Sequence, residues 1–262
     1  MNINDFISKK RDGIPISMVT SYDSWSAKLI AASDVDCILV GDSVSMVLHG
    51  HSTTLPVDTR QMAVHVEAVR RGAPESFIIG DLPFLSFRMG MEKSMENIAV
   101  LMRAGANAVK LEGAAGNLEL IRHTVDSGVP VMGHLGLTPQ SINRLGGFRV
   151  QGRGKEAADR ILDDAQSLQE AGCFSIVLEA VPGDIAGSIT TGLNIPIIGI
   201  GAGIDVDGQV LVLQDLLGLT AEFKPKFVRN FLDGASLVKK ALNDYHHEVT
   251  ERSFPGKTEW YE

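Results

Sequence analysis

A single (β/α)8 barrel is the fold this sequence predicts, on three observations. Short apolar runs alternate with helix-patterned stretches, with no break in composition, along 262 residues. That length is about one such barrel, although it could also hold two small domains. Most of the apolar runs end in a carboxylate, an imidazole or a glycine loop. Polar groups at the C-terminal ends of buried strands are how a parallel barrel gathers an active site from separate strands. The pattern predicts an enzyme.

The strands follow in order. Ile16-Ser-Met-Val-Thr20 reads as the first, followed by Tyr22-Asp23 and a helical stretch through Ser33. Cys37-Ile-Leu-Val-Gly41 runs into Asp42-Ser43, and Phe77-Ile-Ile-Gly80 into Asp81. Ala108-Val-Lys-Leu111 meets Glu112, and Pro130-Val-Met-Gly133 meets His134. Ser175-Ile-Val-Leu178 meets Glu179, and Ile195-Pro-Ile-Ile-Gly-Ile200 opens into Gly201-Ala-Gly203. A weaker eighth candidate lies near Gln209-Val-Leu-Val-Leu213. Between them, Thr59–Arg71, Met91–Arg103, Asn117–Ser127, Lys155–Ala171 and Gly183–Gly192 are long enough for the crossover helices that parallel strands require.

Glycines at 72, 105, 128, 172 and 192 stand where helix C-caps take a left-handed residue. About eight strand–helix units favour a closed barrel, with an open doubly wound sheet as the structural alternative. The whole chain, 1–262, reads as one barrel domain with a short N-terminal helix and an irregular tail after about Glu248.

Composition fits a soluble globular protein: 44% hydrophobic and 21% charged residues suffice for a large core. A net charge of -8, with scattered Lys and Arg, argues against nucleic acid or a membrane surface as partner. Arg70-Arg71 and Lys239-Lys240 read as solvated helix faces. No stretch approaches the roughly 18 apolar residues of a membrane span, and the N-terminus lacks the apolar core of a secretory signal. The two cysteines, Cys37 and Cys173, sit beside apolar runs without a CxxC pair, which predicts buried free thiols and a reducing cytoplasm.

Asp42, Asp81 and Glu112 end successive strands, so a barrel brings them to one rim. Three hard oxygen donors without nearby Cys or paired His suit Mg2+ better than zinc. Asp42 and Asp81 can equally cap the following turns. Lys110, two residues before Glu112, shares its face of the strand. A buried ammonium needs an anion, either a neighbouring carboxylate or an anionic substrate such as a 2-oxo acid; a Schiff-base role is a third reading. His134 is a substrate-contact candidate or a hydrogen-bonded structural group. His49 and His51 could mimic a metal pair, without an evident third ligand. Glu179 stands across the barrel from the Asp42/Asp81 cluster, where a general base belongs, since a metal-bound carboxylate does not readily accept a proton. Gly199–Gly203 reads as an anion nest or as a tight strand-to-loop turn. The GxGxxG and Walker fingerprints are absent.

The sequence resembles the ketopantoate hydroxymethyltransferase family from about Thr20 to Phe231. The resemblance rests on Val40-Gly-Asp-Ser43, Gly50-His-Ser-Thr-Thr-Leu-Pro56, Arg70-Arg-Gly-Ala-Pro74 and Asp81-Leu-Pro-Phe84. Gly133-His-Leu-Gly-Leu-Thr-Pro-Gln140, Val150-Gln-Gly-Arg153, Leu178-Glu179 and Ile198-Gly-Ile-Gly-Ala-Gly203 complete it. It implies a barrel of the phosphoenolpyruvate/pyruvate type, a Mg2+ site and a cytoplasmic homodecamer. It also implies transfer of a hydroxymethyl group from 5,10-methylenetetrahydrofolate to 3-methyl-2-oxobutanoate through a Mg-stabilised enolate, giving 2-dehydropantoate for pantothenate and coenzyme A synthesis. By motif, Asp42, Asp81 and Glu112 would stand at the metal, and Asp42, Ser43, Asp81 and Lys110 would contact the 2-oxo acid. Glu179 would accept the proton, and His134 matches an active-site histidine that is placed here with the substrate contacts.

Departures are Ser45, where the family usually has Gly, the segment 220–225, and the turn variant Gly146-Gly-Phe-Arg149. Two other readings are a lyase or mutase of the same barrel type, acting without folate, and a non-catalytic barrel binding a small anion at Gly199–Gly203.

Overall fold

A computed structural model describes residues 1–220 and 225–261. Helix α1 (Ile3–Arg11) leads into β1 (Ile16–Thr20), α2 (Ser24–Ala31), β2 (Cys37–Val40) and a short α3 (Val44–Val47). Then come α4 (Thr59–Gly72), β3 (Phe77–Asp81), α5 (Met91–Arg103), β4 (Ala108–Glu112), α6 (Leu118–Asp126) and β5 (Val131–Gly136). A 3-10 turn (Pro139–Ser141) and α7 (Ile142–Leu145) precede α8 (Lys155–Glu170), β6 (Ser175–Glu179), α9 (Gly183–Gly192), β7 (Ile197–Ile200) and β8 (Gly208–Leu211). All eight strands pair in parallel and in sequence order, and β8 closes onto β1. The closed barrel replaces the open-sheet alternative. It lies within one compact unit, Met1–Val212. A second compact unit begins at Leu213 and holds α10 (Leu213–Leu216) and α11 (Gly234–Thr250).

Every second residue of each strand points into the barrel, and this alternation creates the site. Ile16 and Met18 of β1, Cys37 and Leu39 of β2, Phe77 and Ile79 of β3, Ala108 of β4, Met132 of β5, Val177 of β6, Ile198 of β7 and Val210 of β8 form one interior apolar cluster. Two residues further along β3 and β5, the same inward register reaches Asp81 and His134. On β4 it passes Ala108, then Lys110, then Glu112, and on β6 it ends at Glu179. The lower layers are apolar and the top layer is charged.

Phe6 of α1 is fully buried in that cluster, with its ring 5.4 Å from Phe77 and 5.0 Å from Phe174. Phe77 begins β3 and Phe174 directly precedes β6, so α1 plugs the N-terminal end of the barrel. Lys9 and Lys10 fasten it by ion pairs of 2.6 Å to Asp36 and 2.7 Å to Asp207.

Of the five glycines expected at C-caps, Gly105, Gly128 and Gly172 adopt positive φ. Gly72 and Gly192 do not: both lie inside helices. A Cβ at Gly72 would stand 2.3 Å from the Ser24 carbonyl oxygen, so that glycine serves the α2–α4 packing. Arg70 is not a solvated charge. Its guanidinium donates to the carbonyls of Gly105 (2.7 and 2.9 Å), Pro74 (2.7 Å) and Ser76 (3.0 Å), clasping the turns before β3 and β4. Lys239 and Lys240 are exposed, as expected. Cys37 and Cys173 are buried free thiols.

Candidate active site

The C-terminal mouth of the barrel brings the predicted residues together. Asp81, Glu112 and Glu179 each end a strand, His134 lies inside β5, and Asp42 follows β2 by two residues. Strand register sets their neighbours, pairing Asp81 with Lys110 and Glu112 with His134. Asp42, Asp81, Lys110, Glu112 and His134 are all buried. Glu179, with its side chain 17% exposed, and half-buried Ser43 open toward solvent.

Polar contacts run without a break around this mouth. Lys110 Nζ donates to both oxygens of Asp81 at 2.7 Å. The Asp42 backbone N–H donates to Asp81 Oδ2 at 3.3 Å. Gln140 Nε2 donates to Asp42 Oδ2 and to the Leu82 carbonyl, each at 2.9 Å, while its backbone N–H donates to Glu112 Oε2 at 3.1 Å. His134 stands between two carboxylates, with Nδ1 3.5 Å from Glu112 Oε1 and Nε2 3.3 Å from Glu179 Oε2. Neither ring nitrogen makes an aligned hydrogen bond among the described residues, so both are close charge contacts.

Electrostatics assign charges to the two bases. Burial opposes a charged Lys110, but Asp81, Asp42 and Glu112 outweigh it and raise the ammonium above its usual value. Lys110 is therefore a fixed cation paired with Asp81, which disfavours the Schiff-base reading, since that chemistry needs a neutral amine. Burial and Lys110 also oppose charge on His134, yet the adjoining Glu112 and Glu179 carboxylates raise it to about 9. Asp42 is pushed well above the usual carboxylate range, first by burial and then by Asp81 and Glu112.

Four carboxylates thus face two cations, and Asp42, whose carboxylate accepts from Gln140 and not from Lys110, lies beside the Lys110-paired Asp81. A divalent cation fits there by its donor set. Among the described residues, no three His, Cys, Asp or Glu are spaced as a closed cage. Mg2+ does not need one, because it binds through one or two carboxylates and fills its octahedron with water and substrate oxygens. Glu112 stands beside the pair, one oxygen held by Gln140 and the other without a hydrogen-bond partner among the described residues.

Several sequence candidates fall elsewhere. His49 pairs with His65 (Nε2 to Nε2, 3.0 Å), and His65 Nδ1 donates to the Tyr22 carbonyl at 2.7 Å, so His49 and His51 do not form a chelating pair. Gly203 lies against Gly183, where a Cβ would stand 2.8 Å from the Gly183 Cα, and its carbonyl accepts from Gln209 at 2.8 Å. Close packing accounts for that glycine. Ser45 donates to the Thr53 carbonyl at 2.8 Å, so the hydroxyl where the family has Gly ties down the loop leading to Pro56. Residues 221–224, most of the departing segment 220–225, lie outside the described residues.

Two residues at the mouth were not singled out from sequence. Tyr22 is buried and its hydroxyl meets Ser43 Oγ at 2.8 Å. Gln140 closes the Thr138-Pro139-Gln140 turn after β5 and is buried between Asp42 and Glu112. Gln140 ends the Gly133–Gln140 stretch that carries the family resemblance, but beyond that it shows only as a polar residue one turn past a strand end, a signal many loops share.

Fold and rim together define a (β/α)8-barrel enzyme with its site at the C-terminal strand ends. Solved structures share the fold. A 2,3-dimethylmalate lyase of the PEP mutase/isocitrate lyase superfamily superposes with a TM-score of 0.61 at 13% identity, covering 97% of this chain and 89% of that one. A phosphonopyruvate hydrolase in complex with oxalate and Mg2+ gives 0.64 at 9% identity, covering 100% and 92%. The ketopantoate hydroxymethyltransferase family model matches residues 1–257. The 3-methyl-2-oxobutanoate hydroxymethyltransferase of Bdellovibrio bacteriovorus is 60% identical over 99% of this chain and 98% of its own length. That of Coxiella burnetii is 57% identical over 97% and 96%, and that of Francisella tularensis 52% over 94% and 94%. The chain belongs to the ketopantoate hydroxymethyltransferase family, as its motifs implied.

Proposed function

We propose that the chain transfers a hydroxymethyl group from 5,10-methylenetetrahydrofolate to 3-methyl-2-oxobutanoate, giving 2-dehydropantoate for pantothenate and coenzyme A synthesis. The observation that supports this most is the division of the carboxylates. Asp42 and Asp81 form a tight acidic pair beside Lys110, while Glu179 stands outside it at the more open side of the mouth, 3.3 Å from His134. A 2-oxo acid offers both halves of that division what they need: adjacent carboxylate and keto oxygens for a cation, and a C3–H for a base.

Asp42 and Asp81 would hold Mg2+, with Glu112 next to them. When bound, Mg2+ supplies positive charge that polarises the keto group and acidifies C3–H. Lys110 stays paired with Asp81 and sets a fixed positive charge beside the substrate carboxylate. Ser43, in hydrogen-bond contact with Tyr22, presents its hydroxyl to the same carboxylate. Glu179 removes the C3 proton, a step worth roughly 10²–10⁴-fold for a placed base. His134 stands against Glu179, its Nε2 3.3 Å from Glu179 Oε2, and holds that carboxylate in place at the mouth. The N10–CH2 bond of the folate opens, N10 taking up the proton removed from C3, and the electron pair left on C3 forms the new C–C bond to the methylene carbon. Water then replaces N5 at that carbon, its oxygen becoming the hydroxyl and its proton passing to N5 as tetrahydrofolate leaves.

The same reading makes the enzyme a cytoplasmic homodecamer. Among the described residues, no helix is long and apolar enough to cross a membrane. Proton NMR of 3-methyl-2-oxobutanoate in D2O, with enzyme and Mg2+, tests the proposal. Collapse of the methyl doublet before folate is added, and a hydroxymethyl signal after it, are the expected results. Folded, metal-supplied protein that produces neither change means another substrate.

A further inference from the structure

We infer that Gln140 is a positioning residue for the cation site, its side-chain amide aiming the Asp42 carboxylate and its backbone N–H aiming Glu112. The inference rests on the reading that Asp42 and Asp81 hold a divalent cation.

The geometry assigns Gln140 this role by its connections. Three different strand ends meet at this one residue. Both side-chain N–H bonds are used, one on Asp42 Oδ2 after β2 and one on the Leu82 carbonyl after β3, each at 2.9 Å. The main-chain N–H holds Glu112 Oε2 of β4 at 3.1 Å. The side chain is buried, and its carbonyl oxygen has no partner among the described residues. Turning the amide over would set that oxygen against two acceptor oxygens, so only one orientation serves. An amide buried with its acceptor unpaired is costly in a core position unless its donors are needed.

Those donors fix one lone-pair direction of Asp42. The bond takes one lone-pair direction of Oδ2 and leaves Oδ1 and the other lone pair of Oδ2 for a cation. The Leu82 bond makes the orientation rigid, because Leu82 directly follows Asp81, the other carboxylate of the pair. Gln140 therefore sets the spacing between the two carboxylates rather than the position of one. Outer partners of this kind typically change metal affinity by about 10- to 100-fold when removed. Gln140 touches no reacting atom, so its effect should appear in cation binding and not in the chemical step.

Calorimetric titration of Mn2+ into the full chain tests this. Gln140→Met keeps the side-chain length and the backbone N–H to Glu112 but removes both amide donors. It should raise the Mn2+ Kd by about 10- to 100-fold. In assays with Mg2+, its activation constant should rise in step while kcat at saturating Mg2+ stays within about 3-fold of wild type, a split that general loosening of the fold does not produce. Gln140→Ala gives the same ordering if the thioether packs badly. Asp42→Asn should abolish tight Mn2+ binding. If both Gln140 variants bind Mn2+ as tightly as wild type while Asp42→Asn does not, the positioning role is overturned and the cation reading stands. If wild type itself fails to bind Mn2+, or Asp42→Asn binds as well as wild type, the cation reading falls and this inference with it.

Discussion

Lys110→Met, made in the metal-free protein, tests the electrostatics of the mouth. The ammonium donates to both Asp81 oxygens at 2.7 Å, and the two side chains are only 4% and 2% exposed. Removing it leaves the Asp81 carboxylate buried beside Asp42 and Glu112 with no cation on it. Breaking a buried pair by deleting one partner costs about 3–5 kcal/mol, mostly the penalty of the stranded charge. For a chain of this size that lowers the midpoint of thermal unfolding by roughly 6–20 °C. The double variant Lys110→Met/Asp81→Leu strands no charge, and should regain more than half of the loss despite being two changes from wild type. Circular dichroism melts of the three proteins supply the comparison. A single variant within about 1 kcal/mol of wild type, or a double variant less stable than the single, refutes the assignment of Lys110 as a permanent counter-ion.

Three further outcomes follow from the same packing. Gly136 sits at φ +87°, and a Cβ there would stand 2.3 Å from the Glu179 carbonyl oxygen, so Gly136→Ala should displace Glu179 and cut turnover at least about 10-fold; unchanged turnover would show that Glu179's position does not matter. Phe6→Ala should cost about 3–5 kcal/mol in urea unfolding, because it empties the aromatic plug of the barrel floor, and a loss under about 1 kcal/mol contradicts that packing. Burial pushes the Cys173 thiol up to about 12 and that of Cys37 higher still. Both should resist Ellman's reagent at pH 8 in the native state and react in urea. Unfolded thiols ionise near 9.0 and folded ones above that, so their contribution to stability is intact below that pH and declines as pH rises beyond it. Rapid native labelling contradicts the burial.

Strand runs that are apolar on both faces were legible in the sequence because a parallel barrel buries both sides of each strand. β8 was the faint one. It is only four residues long, begins Gly-Gln, and has Gln209 exposed, so its apolar signal continues past Leu211 into Leu213, which belongs to α10. In helix α11, Val238, Leu242, Tyr245 and Val249 repeat at helical spacing, and this stripe is exposed. The helix was still not read from the sequence, because it follows the last strand and is not one of the crossovers that the barrel pattern calls for.

The site shows the same division. The place of Asp81, Glu112, His134 and Glu179 at the mouth was legible because strand periodicity near the C-terminal end of a strand fixes where a side chain points. Glu112–His134 adjacency depended on register between strands, which no local pattern encodes. Gln140 and Tyr22 reach the mouth from turns, through contacts spanning 98 residues in one case and 21 in the other. Their roles emerge only once the barrel closes.

The most direct test of the account is deuterium exchange at C3 of 3-methyl-2-oxobutanoate with Glu179→Gln, measured by proton NMR in D2O with Mg2+ and no folate, alongside a Mn2+ titration of the same variant. The account predicts that exchange falls at least about 100-fold while Mn2+ binds as in wild type. Exchange at the wild-type rate in a variant that still binds the metal would contradict it, and would assign the proton to another group at the mouth.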